Sequence, residues 1–229
     1  MTASSRHNRH DRRSLPEVRR ADVGTILVSP WIVGTPERQR AAAEATLGEW
    51  EGVPWPDGFL TLSCLLSVDG GRVLNYAQWT NDEDHRAFVR TTRPGMVRNI
   101  DEVVPGIERP GLIRYRLVGS AARSELPGEP VLVEVEEIEA DDAPAARRWV
   151  ERALAAADDG RAPVPGRVAT HVHLDLGGTR GLAYTEWVDE RAYEAFRAVP
   201  ASTPAPAPSD VRPLGTRAYR PYGSLRRPV

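Results

Sequence analysis

Asn75 and Trp79 bracket the segment Asn75-Tyr76-Ala77-Gln78-Trp79, and their types and spacing suit hydrogen-bond donation to a small molecule. In an extended strand successive side chains alternate, so Asn75, Ala77 and Trp79 share one face while Tyr76 and Gln78 take the other. An amide and an indole N–H two pleats apart both donate without titrating. Fixed donors of this kind stabilise a developing oxyanion or a peroxide oxygen. The same pattern also fits a tryptophan filling a sheet–helix core, with Asn75 satisfied by backbone. His85 follows Trp79 by six residues and is a candidate base, because imidazole titrates near neutrality. It equally fits a helix-surface histidine beside Asp82 and Asp84. His171 and His173 project from one strand face and could begin a metal site or line a pocket. No third ligand is evident, so no metal is expected.

The elements that must position these residues occur twice. A shift of 108 residues aligns Pro36 with Pro144, Gly58 with Gly166, Gly70 with Gly178, Tyr76 with Tyr184, Trp79 with Trp187 and Phe88 with Phe196, without a gap from Pro36 to Phe88. A unit of this size is a small domain rather than a solenoid repeat. In the first copy, Gly34-Thr35-Pro36-Glu37 reads as a helix start, with Thr35 as N-cap and proline at the first helical position. Asp69-Gly70-Gly71 reads as a hairpin turn. The expected order is strand 24–33, helix 36–50, strands 58–68 and 72–80, helix 82–92 and strand 111–118. The second copy repeats it as strand 130–139, helix 144–157, strands 166–176 and 180–188, helix 190–198 and strand 214–222.

That order, βαββαβ, is the ferredoxin-like split unit. The expected fold class is α+β: two tandem ferredoxin-like repeats, residues 21–120 and 131–229, packed as an intramolecular pseudo-dimeric α/β barrel. An antiparallel sheet with helices on one face needs its other face covered, and a second copy can do that. A ligand cavity would then lie between each sheet and its own helices. Residues 1–20 read as a disordered arm, 121–130 as a linker and 200–209 as an extended low-complexity loop.

Composition narrows the function classes. The formal charge of -2 argues against a nucleic-acid partner, and no apolar run nears the length of a membrane span. The single cysteine, Cys64, allows no internal disulfide, so a reducing, cytoplasmic compartment is expected. All 30 basic residues are arginine, which excludes lysine Schiff-base chemistry and a P-loop lysine. No Gly-rich dinucleotide fingerprint occurs, so a tightly held flavin in a Rossmann domain is not expected.

The stretch from Ser67 to Trp79 (Ser-Val-Asp-Gly-Gly-Arg-Val-Leu-Asn-Tyr-Ala-Gln-Trp), followed by an acidic helix start, resembles the signature of the antibiotic biosynthesis monooxygenase family. It is most similar to the anthrone oxygenases of actinomycete aromatic polyketide pathways. Ser29-Pro30-Trp31-Ile32-Val33-Gly34-Thr35-Pro36 and Pro54-Trp55-Pro56-Asp57-Gly58 resemble tandem members. The resemblance implies a dimeric ferredoxin-like barrel and an oxygenase without metal or bound organic cofactor, acting on a small aromatic substrate with O₂. It places Asn75 and Trp79 at the reacting site. Where those oxygenases carry tyrosines, this sequence has His85 and Cys64, so both become candidates, His85 as base and Cys64 as a substrate-binding residue. Cys64 also reads as an inert core thiol. Arg114 and Arg116 could hold an acidic phenol, or stand as edge charges, and His173 could join the pocket lining. The second repeat has Ala183 in place of the asparagine, which puts the expected chemistry in the first. Two variants stay open: diffusible reduced flavin as a co-reactant, and a non-catalytic ligand-binding protein. A haem site using His85 is a further alternative. The protein is expected as a monomer (pseudo-dimer) or a homodimer.

Overall fold

The computed structural model describes residues 10–11, 15–122, 129–158, 164–198 and 209–227. The expected linker lies outside the described residues at 123–128, the expected low-complexity loop at 200–208, and the expected arm at 1–9 and 12–14. The fold is mixed α/β, with five helices among the described residues and strands that pair antiparallel. No described helix is long and apolar enough to cross a membrane.

Two compact units form, Met1–Leu112 with Pro221–Val229, and Ile113–Arg220. Unit 1 contains β1 (His10–Asp11), β2 (Thr25–Ile32), α1 (Pro36–Glu51), β3 (Phe59–Ser67), β4 (Arg72–Trp79), α2 (Asp82–Thr91) and α3 (Arg93–Val103). β4 is central, pairing with β2 so that Asn75 faces Ser29, and with β3 so that Asn75 faces Cys64. Unit 2 contains β5 (Ile113–Ala122), β6 (Leu132–Ala140), α4 (Ala143–Ala157), β7 (Arg167–Asp175), β8 (Arg180–Trp187), α5 (Glu190–Ala198) and β9 (Val211–Arg226) as far as Arg220. Its sheet runs β5-β7-β8-β6-β9, and the last four strands have the ferredoxin-like order.

The unit boundaries differ from the repeat boundaries. β5, the last strand of the first repeat, belongs to unit 2, where it pairs with β7. Residues 221–226 of β9, from the second repeat, belong to unit 1, where β9 lies beside β3 and Arg227 N donates to Leu60 O at 2.8 Å. In both units the added strand satisfies a sheet edge that would otherwise leave backbone groups unpaired. Residues 15–20 are also anchored rather than free. Val18 is buried, Gln78 Nε2 donates to Glu17 O at 3.0 Å, and Arg226 donates to Leu15 O at 2.5 Å.

The local signals act as the sequence suggests. Thr35 accepts from Arg38 N, and Asn81 accepts from Asp84 N, capping α1 and α2. Gly70 turns the β3–β4 hairpin at φ 78°, a conformation that side-chain-bearing residues rarely adopt, and an added Cβ there would come within 2.6 Å of Pro36. α3 is the element not anticipated. Met96 and Ile100, one turn apart, are its buried residues, and Val104 and Ile107 beyond its end join them in the unit 1 core.

Candidate functional site

Unit 1 has a partly open cavity of about 80 Å³ between its sheet and its helices. The floor is the helix-facing row of β2 and β4: Leu27, Ser29, Asn75, Ala77 and Trp79. α1 contributes Thr46 and Trp50, α2 contributes His85 and Phe88, and α3 closes the top with Arg93, Met96, Val97 and Ile100. The structure thus brings Asn75, Trp79 and His85 together.

Asn75 is buried, and its amide is only loosely held. Cys64 Sγ donates to Oδ1 at 3.4 Å, and Nδ2 reaches Ser29 O at 3.5 Å, the long limit of a hydrogen bond. Ser29 is oriented in turn, since Trp31 Nε1 donates to its Oγ at 3.2 Å. Trp79 is 1% exposed. His85 is buried and meets the Trp79 ring edge-on, with centroids 5.1 Å apart and planes at 76°. The sequence left a helix-surface position open for His85; the structure puts it on the inward side of α2 with Phe88.

Arg93 was missed. It is the one arginine among the described lining residues, and burial, followed by the like charge of Arg109, lowers its pKa. Arg109 is itself engaged, donating to Asp101 at 2.8 Å and lying 4.4 Å over the Trp31 ring. The available signal was the helical spacing of α3, which Arg93 opens.

The other candidates lie elsewhere. Cys64 sits behind Asn75 rather than lining the cavity, fully buried, and desolvation followed by the charge of Glu44 pushes its thiol up to about 12. Because the thiolate is the reactive form, a maleimide should leave native protein unlabelled at pH 8 and label it after denaturation. Rapid native labelling would show that this strand opens. Arg114 and Arg116 are on β5 in unit 2 and line neither described cavity. His173 is on β7, on the face opposite the helix-facing Thr170 and Val172. No group of three or more His, Cys, Asp or Glu residues that could hold a metal ion is found among the described residues.

His173 bears on stability. Burial, and then the neighbouring His171, lowers its pKa to about 3. Below about pH 6.5 the unfolded chain gains a proton that the folded chain refuses, so stability falls as pH drops from about 6.5 towards about 3. Urea midpoints across that window should decline, and His173→Leu should flatten the decline. An identical slope in the variant would assign the acid sensitivity to other groups.

No protein-family model matches the sequence, and no curated protein matches it significantly. Solved structures do match. An anthrone oxidase-like protein superposes with a TM-score of 0.63 at 17% identity, over 88% of this chain and 93% of that one. A proposed monooxygenase from Fusobacterium nucleatum gives 0.54 at 9% identity, over 91% and 96%. Another, from Lactobacillus acidophilus, gives 0.51 at 10% identity, over 88% and 96%. At these identities the likeness is one of fold, and it extends over nearly the whole of each neighbour. By fold, the chain stands with anthrone oxidase-like and monooxygenase-like proteins.

Proposed function

We propose that this chain is an oxygenase of the antibiotic biosynthesis monooxygenase type, oxidising a polycyclic phenolic, anthrone-type substrate with O₂ in the cavity of unit 1, as a step of aromatic polyketide biosynthesis. The observation that carries the reading is the convergence of the buried Asn75, Trp79 and His85 on one mostly apolar cavity. Such a site supplies fixed donors in a low-dielectric surrounding, where they act most strongly.

The chemistry balances without a further oxidant. His85 takes a proton from the ring methylene of the substrate, leaving a delocalised anion that the Arg93 charge stabilises. The anion passes one electron to O₂, and the resulting radical and superoxide combine into a C–O bond. Asn75 and Trp79 donate to the peroxide oxygen as it forms. Loss of water from the protonated hydroperoxide leaves the carbonyl, so CH₂ and O₂ become C=O and H₂O. One oxygen atom enters the product and one leaves as water.

The cavity of about 80 Å³ is smaller than the roughly 300 Å³ of an ordinary ligand pocket. A three-ring substrate therefore requires the α3 side chains, Met96 first, to swing aside; methionine is suited to this because its chain is unbranched and flexible. The reading needs no tightly held cofactor. The expected pseudo-dimeric packing of the two repeats, and a cytoplasmic location, belong with it.

Oxygen uptake with dithranol, run with and without reduced flavin, tests it. Uptake without flavin supports the cofactor-free form, and uptake only with flavin supports the diffusible-flavin variant. Saturable binding with no uptake in either condition would replace the oxygenase by a ligand-binding protein.

A further inference from the structure

Unit 2 has a partly open cavity in the same place relative to its own elements, between the helix-facing side of its sheet and α4 and α5, with a volume of about 310 Å³. Strand register equates the two linings residue by residue. Glu134 stands opposite Thr185 as Leu27 stands opposite Ala77, and Glu136 opposite Ala183 as Ser29 opposite Asn75. Thr170 takes the place of Leu62, and Arg167 that of Phe59. The shift of 108 puts Arg197 where repeat one has Val89, and Asp158 where it has Trp50. A mostly apolar pocket has thus become one lined by two glutamates, two arginines and three threonines, without the indole.

Trp187 supplies a second, independent observation. It lines this cavity and is 0% exposed, and its Nε1 has no acceptor among the described residues. Buried donors nearly always find a partner, and one left without costs stability, so a missing acceptor points to a ligand. Most of the surrounding polar groups are engaged. Glu134 pairs with Arg197 at 3.6 Å, the Thr170 and Thr185 hydroxyls meet at 3.2 Å, and Arg167 donates to Ala156 O and Ala157 O at the end of α4. Glu136 has Thr216 and Ala183 beside it in register, and the charge of Arg197 acts on it without a hydrogen bond between them.

We propose that the unit 2 cavity is a second binding site, for a neutral small molecule carrying several hydroxyl groups on one ring. A hydroxyl both accepts from the Trp187 indole N–H and donates to a glutamate carboxylate. An ammonium group offers no acceptor, and an apolar ring offers neither function. Phe196 and the alanines Ala153, Ala156 and Ala157 form the apolar wall against which a ring face packs. Burial raises the pKa of both Glu134 and Glu136, a cost to the free protein that hydrogen bonds from such a ligand would offset. The proposal does not depend on the oxygenase reading of unit 1.

The test follows the ¹⁵N–¹H indole resonance of Trp187, identified by its loss in Trp187→Phe, in the full chain. Methyl glucoside and catechol are the probes, a saturated and an aromatic source of the same hydroxyl chemistry; propylammonium and toluene are the controls. A saturable shift with either hydroxylated probe is expected, and which one binds more tightly names the source. Glu136→Leu should weaken that binding about tenfold or more, as loss of a hydrogen bond to a charged group does. Should that variant fail to fold, Thr185→Ala, which installs the residue repeat one carries at that position, should weaken it as well. The proposal fails if neither hydroxylated probe moves the resonance at its solubility limit. It fails equally if toluene or propylammonium binds more tightly, or if the folded variants bind as the parent does.

Discussion

Asn75→Ala should lower oxygen uptake with dithranol by about a hundredfold or more, the usual consequence of removing one oxyanion donor from a water-excluded site. The amide is available for such a role because its present bonds are weak, with contacts of 3.4 Å to Cys64 Sγ and 3.5 Å to Ser29 O. Nothing strong has to break before it turns to a developing negative oxygen. The fold should survive the change. Repeat two carries Ala183 at the matching register position, between β6 and β7 as Asn75 lies between β2 and β3, and builds the same strands around it. Trp79→Phe removes the second donor while keeping a ring against Phe59, Phe88 and His85, so it should lower uptake with a smaller structural cost. Far-UV circular dichroism and urea midpoints separate lost chemistry from lost fold. Parent rates in both variants would move the chemistry away from this cavity.

The sequence carried the fold because its signals were local and repeated. Thr35-Pro36 and Asn81-Asp82 satisfy helix N-termini, Asp69-Gly70 closes a hairpin, and alternation set the face shared by Asn75 and Trp79. The convergence of His85 with these two followed from its place on the helix after β4. What remained hidden depends on long-range pairing. Nothing local in β5 says that its edge will satisfy β7 within unit 2, and nothing in the C-terminal residues says that they will join unit 1. Arg114, Arg116 and His173 were therefore grouped with the site on strand assignment alone, whereas the lining of the unit 1 cavity includes none of them. α3 lies beyond the stretch over which the two repeats align, so comparing the copies could not reveal it, and Arg93 went with it. The charged lining of the unit 2 cavity was also missed, because Glu134 and Glu136 become equivalent to Leu27 and Ser29 only once strand register is known.

Trp50→Ala should cause the largest stability loss in unit 1, about 3–5 kcal/mol, as truncation of a buried aromatic does. The indole ties α1 to the sheet and to α2. It stacks on Phe59 at 4.2 Å, meets Phe88 at 4.8 Å and Trp79 at 6.1 Å, and its backbone carbonyl accepts from Trp55 Nε1 at 2.8 Å. Removing it takes packing from three rings at once, and those rings cannot collapse into the gap because each is held by its own strand or helix. The lost indole lines the cavity, so the vacated volume joins it. Toluene should therefore recover part of the lost stability in Trp50→Ala, by binding the folded state only, and should have a smaller effect on the parent. Trp50→Phe, which keeps a ring in the stack, should lose about half as much or less. Urea unfolding with an unchanged m-value, together with exchange protection of the β3 and β4 amides, measures the effect. A loss below about 1 kcal/mol would mean that this ring cluster does not lock α1 to the sheet. The same comparison explains why one fold holds two different cavities: repeat two has Asp158 in place of this tryptophan, and its cavity is correspondingly larger, about 310 Å³ against about 80 Å³.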